Sequence, residues 1–293
     1  MGWVAIVNPA SGMPGAALRC GEALKQAGYV DKILVGGGPG DSTQLARKSW
    51  RAKGIAVVGG DGTVLEVIAG LAKKPRPIAV FPVGHGNCLA RHLGATTVEK
   101  AQTILRNGSP QSIDLMDICL TKRNGDVQKL RAISTLSLGY VSNVVGLGRN
   151  RLAFLGRAAY GVASALTYPH RQVLHLEIDG VRSLRALRTG VVVNNAAYLA
   201  NFRALAQARL ADGLLDVMDM DYGWKMQMAH NASVLLGSSL VGPAQLAKAT
   251  SVRISPARAQ AVMVDGEIIH DVIDVHVTCM PLAQECISLL PHG

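Results

Sequence analysis

The sequence predicts an α/β N-terminal domain with a parallel sheet, followed by a C-terminal antiparallel β-sandwich. Short, wholly apolar segments alternate with amphipathic ones over residues 1–115, as expected of strands covered by helices on both faces. Glycine-rich turns follow these apolar segments. From about residue 113 the pattern changes to strands joined by turns, which is typical of a sandwich.

In the N-terminal domain, residues 1–115, four predicted strands alternate with five helices. The strands are WVAIVN, KILVGGG, GIAVVGG and PIAVFPVG. The helices are AALRCGEALKQAG, GDSTQLARKSWRAK, DGTVLEVIAGLAKK, NCLARHLG and TVEKAQTILRNG. This alternation predicts a parallel sheet between two layers of helices.

In the C-terminal domain, residues 116–280, strands predominate. They are SIDLMDICLT, which begins just before the boundary, KLRAISTLSLG, QVLHLEIDG, RTGVVVNNA, LLDVMDMD, SVRISPA, QAVMVDGEI and VIDVHVTC. Helical patterns occur at 151–168 and 224–240. The longest apolar stretch, ASVLLGSSLVGPAQLA, is broken by Ser, Gly and Pro, and it falls short of the roughly 20 apolar residues that span a membrane.

Composition indicates a folded chain in a reducing compartment. The 293 residues are 49% hydrophobic and 17% charged, which favours two core-forming domains over disorder. Five scattered cysteines contain no CxxC pair, so we expect no disulfide framework and a cytoplasmic protein. The segment MGWVAIVNPASG lacks the pattern of a signal peptide.

The net charge of +10 is unevenly distributed. Residues 149–209 contain nine arginines, no lysines and two acids, an excess of seven positive charges. Such a surface attracts anionic lipid, polyphosphate or nucleic acid. An excess of positive charge with no other signal is explained more simply by a solvated basic face. With 4% aromatic residues there is little to stack on bases, so we do not expect a nucleic-acid partner.

Four glycine-rich turns predict a phosphate site. NPASG, GGGPGD, GGDGT and GHGN each follow one of the first four strands. In an open α/β sheet, ligands bind beyond the carboxyl ends of the strands, where glycines and helix N-termini present N–H groups to phosphates. The sequence has neither a G-x-x-x-x-G-K-[ST] loop nor a G-x-G-x-x-G opening its first helix, so other nucleotide-binding classes are disfavoured.

Two of these turns carry side chains whose roles the residues leave open. Asp61 could hold Mg²⁺ and Thr63 could contact phosphate, or either could cap the helix that follows. His85 and Cys88 could be half of a metal site, a base beside a nucleophile, or part of a phosphate-binding turn. No second His/Cys pair lies at a suitable spacing, so we favour the phosphate-binding turn.

The second domain contains carboxylates beside glycines, in ADGLLDV and VDGEII. Asp-Gly is a routine turn sequence, so each motif alone indicates a turn. Glu267, which follows Asp265 and Gly266 in an otherwise apolar context, is a second carboxylate that could accept a proton from a substrate hydroxyl.

Taken together, NPASG, GGDGTVLEVIAGL, PVGHGNCLARHLG, ADGLLDV and VDGE resemble the diacylglycerol kinase catalytic-domain family, which includes bacterial lipid kinases and sphingosine kinases. The resemblance covers nearly the whole chain and implies a two-domain lipid kinase that binds ATP in the interdomain cleft. It also implies that residues 281–293 return to the N-terminal domain.

The resemblance and the glycine turns together give the expected site residues. Nucleotide binding is expected at Asn8, Ser11, Gly59, Gly60, Asp61, Gly62, Thr63, Glu66, Gly84, His85, Gly86 and Asn87. The resemblance implies that Glu267 is the general base, with Asp265 beside it, and that Mg²⁺ binds the Asp212 carboxylate and the carbonyls of Arg209 and Leu214.

Some positions depart from the family pattern. Leu65 stands where many bacterial members have Asn, while His85 and Cys88 replace Thr and Asp. Two alternatives stay open: a GGDGT-type kinase of a soluble substrate such as NAD, since that motif is shared with NAD kinases, and a catalytically silent nucleotide- or lipid-binding homologue, which the departures suggest. For the lipid kinase we expect ATP and Mg²⁺ as cofactors and peripheral association with the inner face of an anionic membrane. The choice between monomer and homodimer stays open.

Overall fold

The structure, a computed structural model, describes residues 2–84, 86–152, 154–155, 159–168, 170–195, 198–199, 202–203, 208–219 and 244–289. The chain divides into two compact units. Unit one comprises Met1–Leu115, Arg209–Asp212 and Pro281–Gly293, and unit two comprises Met116–Ala208 and Gly213–Met280. His85 and the helix predicted at 224–240 lie outside the described residues, as does part of the helix predicted at 151–168.

Unit one alternates strands and helices. Its elements are β1 Trp3–Val7, α1 Ala16–Gln26, β2 Lys32–Val35, α2 Asp41–Lys48, β3 Gly54–Gly59, α3 Asp61–Leu71, β4 Ile78–Pro82, α4 Cys88–His92 and α5 Val98–Asn107. The strands pair in the order β2, β1, β3, β4, and all of these pairs are parallel. The last strand of the chain, β17, joins β4 in parallel through Cys286 and Ile78.

Helices pack closely on this sheet because glycines face their neighbours. A Cβ on Gly21 of α1 would lie 2.7 Å from a methyl carbon of Val7 in β1. A Cβ on Gly70 of α3 would lie 2.4 Å from the carbonyl oxygen of Thr43 in α2. α3 is apolar over most of its surface because it lies between the sheet and α2, and Val64, Val67, Ile68 and Leu71 are all buried.

Unit two is mainly antiparallel sheet. Its elements are β5 Ser109–Lys122, β6 Val127–Ala132, β7 Thr135–Gly139, α6 Tyr140–Asn150, α7 Ala159–Leu166, β8 Gln172–Ile178, β9 Val181–Arg188, β10 Gly190–Asn194, β11 Tyr198–Leu199, β12 Phe202–Arg203, β13 Leu215–Asp219, β14 Ala244–Ala249, β15 Ser251–Pro256, β16 Gln260–Val264 and β17 Glu267–Ser288. β5 begins, and β17 ends, among residues of unit one.

The strands of unit two follow three pairing paths that meet at β17. One path runs β14, β13, β10, β7, β16, β17, a second runs from β17 through β15 and β8 to β9, and a third runs from β17 through β5 to β6. Alternate residues of these strands point into one apolar core that includes Leu138, Leu174, Val193, Ile254 and Val275. The predicted fold class, a parallel α/β domain followed by an antiparallel β-sandwich, is confirmed.

Several elements of unit two differ from the prediction. Helix α6 was not predicted, because its segment YVSNVVGLGRN contains glycines and β-branched residues of low helix propensity. It forms because Tyr140, Val141 and Val144 pack on Met263 and Val192 of the sheet. The single strand predicted at KLRAISTLSLG is two strands, β6 and β7, and the one predicted at QAVMVDGEI is β16 and the start of β17, separated by a turn. Strands β9, β11, β12 and β14 were not predicted.

The last strand is longer than its sequence pattern suggested. VIDVHVTC is only the middle of the 22-residue strand β17. Among the described residues, no helix is both long enough and apolar enough to cross a bilayer.

Candidate active site

The strand order of unit one places two glycine turns at a point where the chain reverses its direction across the sheet. β1 pairs with β2 on one side and with β3 on the other, so the connections that leave β1 and β3 diverge. Ligands of open α/β sheets bind at such a point, beyond the carboxyl ends of the strands. NPASG follows β1 and GGDGT follows β3.

The glycine turns contact each other through their backbones. Gly12, with φ +72°, lies so close to β4's end that an added Cβ would be 1.9 Å from the Val83 carbonyl oxygen. A Cβ on Gly84 would be 2.5 Å from the Cα of Gly60. The first, third and fourth turns therefore form one surface, on which side chains at these glycines have no room.

The start of α3 offers free N–H groups on this surface. Its N-cap is Gly60, which provides no side-chain cap, and the N–H groups of Asp61, Gly62 and Thr63 have no acceptor among the described residues. By contrast, α5 begins at Thr97, whose hydroxyl accepts a hydrogen bond from the Lys100 N–H at 3.3 Å. Unpaired N–H groups at a helix N-terminus are donors suited to a phosphate.

Asp61 caps α4 and not α3, the helix in which it lies. Its two carboxylate oxygens accept hydrogen bonds from the N–H groups of Cys88, at 3.0 Å, and Leu89, at 3.2 Å, at the start of α4. Neither Asp61 nor Thr63 caps α3, so the interpretation of either as a cap of that helix is wrong. The Asp61 carboxylate links the third turn to the fourth.

We expect Asp61→Asn to destabilise the protein by about 1–3 kcal/mol in the absence of ATP and Mg²⁺, since the amide replaces one of two acceptors with a donor that faces an N–H group. Chemical unfolding of the apo protein measures this. A variant with unchanged stability but weaker ATP binding would instead mean that Asp61 acts on the nucleotide.

The other predicted nucleotide residues of the first three turns are joined by hydrogen bonds. The Asn8 amide donates to the hydroxyl of buried Thr63 at 3.0 Å, and its side-chain oxygen accepts from the Ala10 N–H at 3.0 Å. The Ser11 N–H donates to the Asn8 carbonyl at 3.1 Å. Glu66 accepts from the Gly40 N–H at 2.9 Å, which ties the second turn to α3.

In the fourth turn, Asn87 adopts a left-handed conformation, with φ 52°, as the N-cap of α4. Its side chain exchanges hydrogen bonds with the backbone of Gly84, accepting from the N–H at 3.1 Å and donating to the carbonyl at 2.5 Å. Gly86 faces Asp61, since an added Cβ would lie 3.0 Å from a carboxylate oxygen. Among the described residues no group of three or more His, Cys, Asp and Glu could hold a metal ion.

In unit two, Asp265 and Gly266 form the tight turn between β16 and β17. Both have positive φ, 45° and 89°, and Val264 pairs with Glu267 across a two-residue loop, as in a type I′ hairpin. The Asp265 carboxylate accepts hydrogen bonds from the N–H groups of Ile133, Ser134 and Thr135 at 2.7, 3.0 and 2.8 Å. This side chain is therefore engaged in holding the segment before β7.

Glu267 is in the opposite situation. It is exposed, and its carboxylate has no hydrogen bond or ion pair with a described residue. Glu267 lies two residues after Asp265, directly after the turn that hydrogen bonds from residues 133–135 hold in place. A carboxylate that is free of partners on a fixed turn is available to take a proton.

Sequence reasoning missed the residues behind this turn. Asn195, fully buried, donates from its side chain to the Ile133 carbonyl at 3.2 Å and from its backbone to the Ser134 carbonyl at 2.9 Å. The Thr135 hydroxyl donates to Asn194, also fully buried. Two adjacent asparagines at the end of the apolar run VVVNN were the available signal, because buried amides require partners.

In unit one, a buried carboxylate was also missed. Asp114 is fully buried; its N–H donates to the Leu210 carbonyl at 2.6 Å and its carboxylate accepts from the Leu282 N–H at 2.8 Å. It thus holds two segments distant in sequence. The available signal was an acid in the middle of the apolar run IDLM.

The expected Mg²⁺ ligands lie in the segment before β13. Asp212 is half-buried next to Gly213, which has φ +72°. One carboxylate and the carbonyls of Arg209 and Leu214 form a set of oxygen donors of the kind that Mg²⁺ takes, so the residues fit the ion in their chemistry. Their joint binding of Mg²⁺ stays a prediction.

The predicted basic surface at 149–209 is only partly described. Of its nine arginines, Arg151, Arg171 and Arg209 are exposed, but Arg188 is buried at 4% exposure and adds nothing to a surface. The other five lie where side chains are not described.

A parallel α/β unit with glycine turns at its carboxyl edge is followed in sequence by an antiparallel unit that carries a carboxylate on an Asp-Gly turn. Residues 2–118 match the family described as the diacylglycerol kinase catalytic domain. Residues 134–288 match the YegS C-terminal NAD kinase beta sandwich-like domain. The chain belongs to the diacylglycerol kinase catalytic-domain family of bacterial lipid kinases and is a lipid kinase, which confirms the resemblance.

Curated relatives agree with this assignment. A diacylglycerol kinase of Mycobacterium tuberculosis is 29% identical over 226 residues, covering 73% of this chain and 71% of the relative. A diacylglycerol kinase of Bacillus subtilis is 26% identical over 287 residues, covering 89% of this chain and 88% of the relative.

Solved structures support the fold. A diacylglycerol kinase of Bacillus anthracis superposes with a TM-score of 0.74 at 22% identity, covering 98% of this chain and 96% of that one. An NAD kinase of Archaeoglobus fulgidus in complex with ATP superposes less well, with a TM-score of 0.52 at 13% identity, covering 98% and 94%. Both likenesses concern the fold alone.

Proposed function

We propose that this lipid kinase transfers the γ-phosphate of ATP to the hydroxyl of a lipid, with diacylglycerol as the first acceptor to test. The two curated relatives described above carry that substrate in their names. Sphingoid and related lipids are further acceptors of the same chemical class. In this proposal unit one binds the nucleotide and unit two binds the lipid, and the location of ATP in an interdomain cleft remains a prediction.

The observation that carries the proposal is the surface formed by three glycine turns at the start of α3. Gly12, Gly60 and Gly84 bring backbones together, and the N–H groups of Asp61, Gly62 and Thr63 lack acceptors among the described residues. Phosphoryl transfer depends chiefly on positioning and charge stabilisation, which such donors supply to the phosphates. Asn8, Ser11 and Glu66 support the surface by fixing the first two turns.

The carboxylates of Glu267 and Asp265 in unit two have different roles in this proposal. As the acceptor oxygen bonds to the γ-phosphorus, the bond from that phosphorus to the bridging oxygen breaks and ADP departs. Glu267 takes the proton released by the acceptor hydroxyl, and Asp265 keeps the turn in place through its three backbone hydrogen bonds. Asp212 and the carbonyls of Arg209 and Leu214 would hold one Mg²⁺ and so brace the turn before β13. Mg²⁺ on the phosphates would supply neutralisation of their charge.

Incubation with γ-labelled ATP and a whole-lipid extract, followed by identification of the labelled product, tests the proposal. We expect a labelled phospholipid whose formation requires Mg²⁺. Label found only in a water-soluble acceptor such as NAD would support the soluble-substrate alternative, and ATP binding without any labelled product would support the silent homologue.

In the same proposal the protein works peripherally at the inner face of an anionic membrane, where its acceptor resides. The exposed arginines of the 149–209 segment support this through charge. Vesicle binding that does not weaken with added salt would contradict the electrostatic part.

A further inference from the structure

Unit one carries a strongly basic surface that the sequence pattern did not reveal. We define the basic edge as Arg47, Lys48, Arg51, Lys53, Lys73, Lys74 and Arg76, arranged around Trp50. Six of these seven cations are exposed, and Arg76 is half-buried. None of the seven forms an ion pair with a carboxylate among the described residues.

Contacts made by Arg51, Lys74 and Arg76 bring the two connections of the basic edge together. The Trp50 ring has the Lys74 Nζ 3.6 Å from its centroid and the Arg51 guanidinium carbon 4.8 Å from it, so two cations share one ring. Arg76 donates from Nε to the Ala52 carbonyl at 3.1 Å, which places the end of the α3–β4 connection beside the α2–β3 connection.

The basic edge lies at the opposite end of the sheet from the glycine turns. Its residues come at the end of α2 and in the connections that enter β3 and β4, whereas the glycine turns leave the carboxyl ends of the strands. β3 has six residues, so the two edges are about 17 Å apart along the strands. The cluster is therefore not part of the proposed phosphate site.

The favourable interaction of cations with helix C-termini explains the position of only some residues of the basic edge. Cations are favoured at helix C-termini, and Arg47 and Lys48 occupy the last turn of α2. The last turn of α3 contains no basic residue, and Lys73, Lys74 and Arg76 follow the helix. Acids near this edge are scarce: Asp31 accepts from the Gly2 N–H at 2.6 Å, and Glu285 lies in the part of β17 beside β4.

We propose that the basic edge docks unit one on the surface of an anionic bilayer. Clusters of four to eight Lys and Arg bind anionic headgroups, and a tryptophan flanked by long cationic side chains suits the boundary between headgroups and acyl chains. A protein partner is less well matched, because a specific interface needs an apolar centre. Trp50 is the only apolar side chain in the cluster as defined, and it is half-buried.

Because the glycine turns lie at the far edge of the sheet, docking through the basic edge would leave the proposed phosphate site open to the water that supplies ATP. The inference extends the proposed function, because a kinase of bilayer lipids gains local substrate from recruitment. Its failure remains distinguishable, since membrane binding is measured without ATP or turnover.

The test is sedimentation of the full chain with vesicles of phosphatidylcholine, with and without phosphatidylglycerol, at low salt. Arg51→Glu combined with Lys74→Glu is compared with Lys129→Glu combined with Arg258→Glu, two exposed cations of unit two. Both double variants lower the formal net charge from +10 to +6. We expect the first to bind anionic vesicles about twentyfold or more weakly, and the second to lose far less.

Equal losses in the two double variants would overturn the proposal, because net charge would then suffice. So would unchanged binding by the Arg51/Lys74 variant, equal binding to neutral vesicles, or a selective loss of binding to duplex DNA.

Thermal unfolding checks that both double variants are folded. If the reversal unfolds unit one, Lys73→Gln with Lys74→Gln replaces it, with an expected loss of about tenfold. Phosphorylation of diacylglycerol in neutral detergent micelles, measured separately, reports on the kinase proposal alone.

Discussion

Glu267→Gln is expected to lower kcat by about 10²–10⁴-fold, the range that a positioned general base contributes, while the affinity for ATP stays unchanged. The substitution keeps the size of the side chain and removes its ability to accept a proton. Because Glu267 is exposed and has no partner among the described residues, we expect the free energy of unfolding to change by less than about 0.5 kcal/mol. Initial rates with diacylglycerol micelles, ATP titration and chemical unfolding measure the three quantities.

Two other substitutions serve as controls. Asp117→Asn alters an exposed carboxylate of β5 and should leave kcat as it is. Asp265→Asn should show the opposite pattern from Glu267→Gln, with stability reduced by about 1–3 kcal/mol, because the amide cannot accept from all three N–H groups of residues 133–135. Wild-type kcat in Glu267→Gln would remove this residue as the base.

The alternation of apolar and amphipathic segments was sufficient to predict the N-terminal sheet, because strands buried on both faces must be wholly apolar. β1, β3 and β4 all satisfy this condition. The Asp265–Gly266 turn could also be predicted from the sequence, because Asp-Gly is favoured in two-residue hairpin turns, which need positive φ at both positions. These features depend on local physics, which the sequence displays directly.

The partners of polar side chains were not readable in the same way. The prediction that Asp61 caps its own helix was wrong, because its carboxylate oxygens accept hydrogen bonds from N–H groups 27 and 28 residues away. Asp265 holds a segment about 130 residues earlier in the chain. Such contacts depend on how helices and strands pack in the folded protein. A carboxylate beside a glycine has the same local sequence whichever N–H group it binds, so the sequence does not identify its partner. The family resemblance identified these positions without giving their partners.

The basic edge was missed for a related reason. The sequence pattern drew attention to 149–209, where cations are concentrated along the chain, and Arg188 from that segment is buried. At the basic edge, two short segments that are far apart in sequence, with four cations in 47–53 and three in 73–76, each place a cation beside the Trp50 ring. The electrostatic potential at a surface depends on how close the cationic side chains are in space, and not on how close they are in sequence.

Gly12→Ala is expected to lower stability by about 2–5 kcal/mol and to weaken ATP binding by at least about tenfold. The methyl group would need to occupy a point 1.9 Å from the Val83 carbonyl oxygen, so the first and fourth turns must separate. A left-handed φ of +72° adds strain of about 1–2 kcal/mol for any L-residue, and overpacking adds about 1–3 kcal/mol. Chemical unfolding and ATP titration measure the two effects.

Gly28→Ala isolates the contribution of the close approach. Gly28 has φ +73°, almost the same as Gly12, but an added Cβ there meets nothing within 4 Å. Both substitutions therefore share the backbone strain, and only Gly12→Ala separates the turns. We expect Gly28→Ala to lose about 1 kcal/mol and to bind ATP normally. If the two variants proved equally stable and bound ATP equally well, contact between the first and fourth turns would not be what holds the proposed phosphate site together.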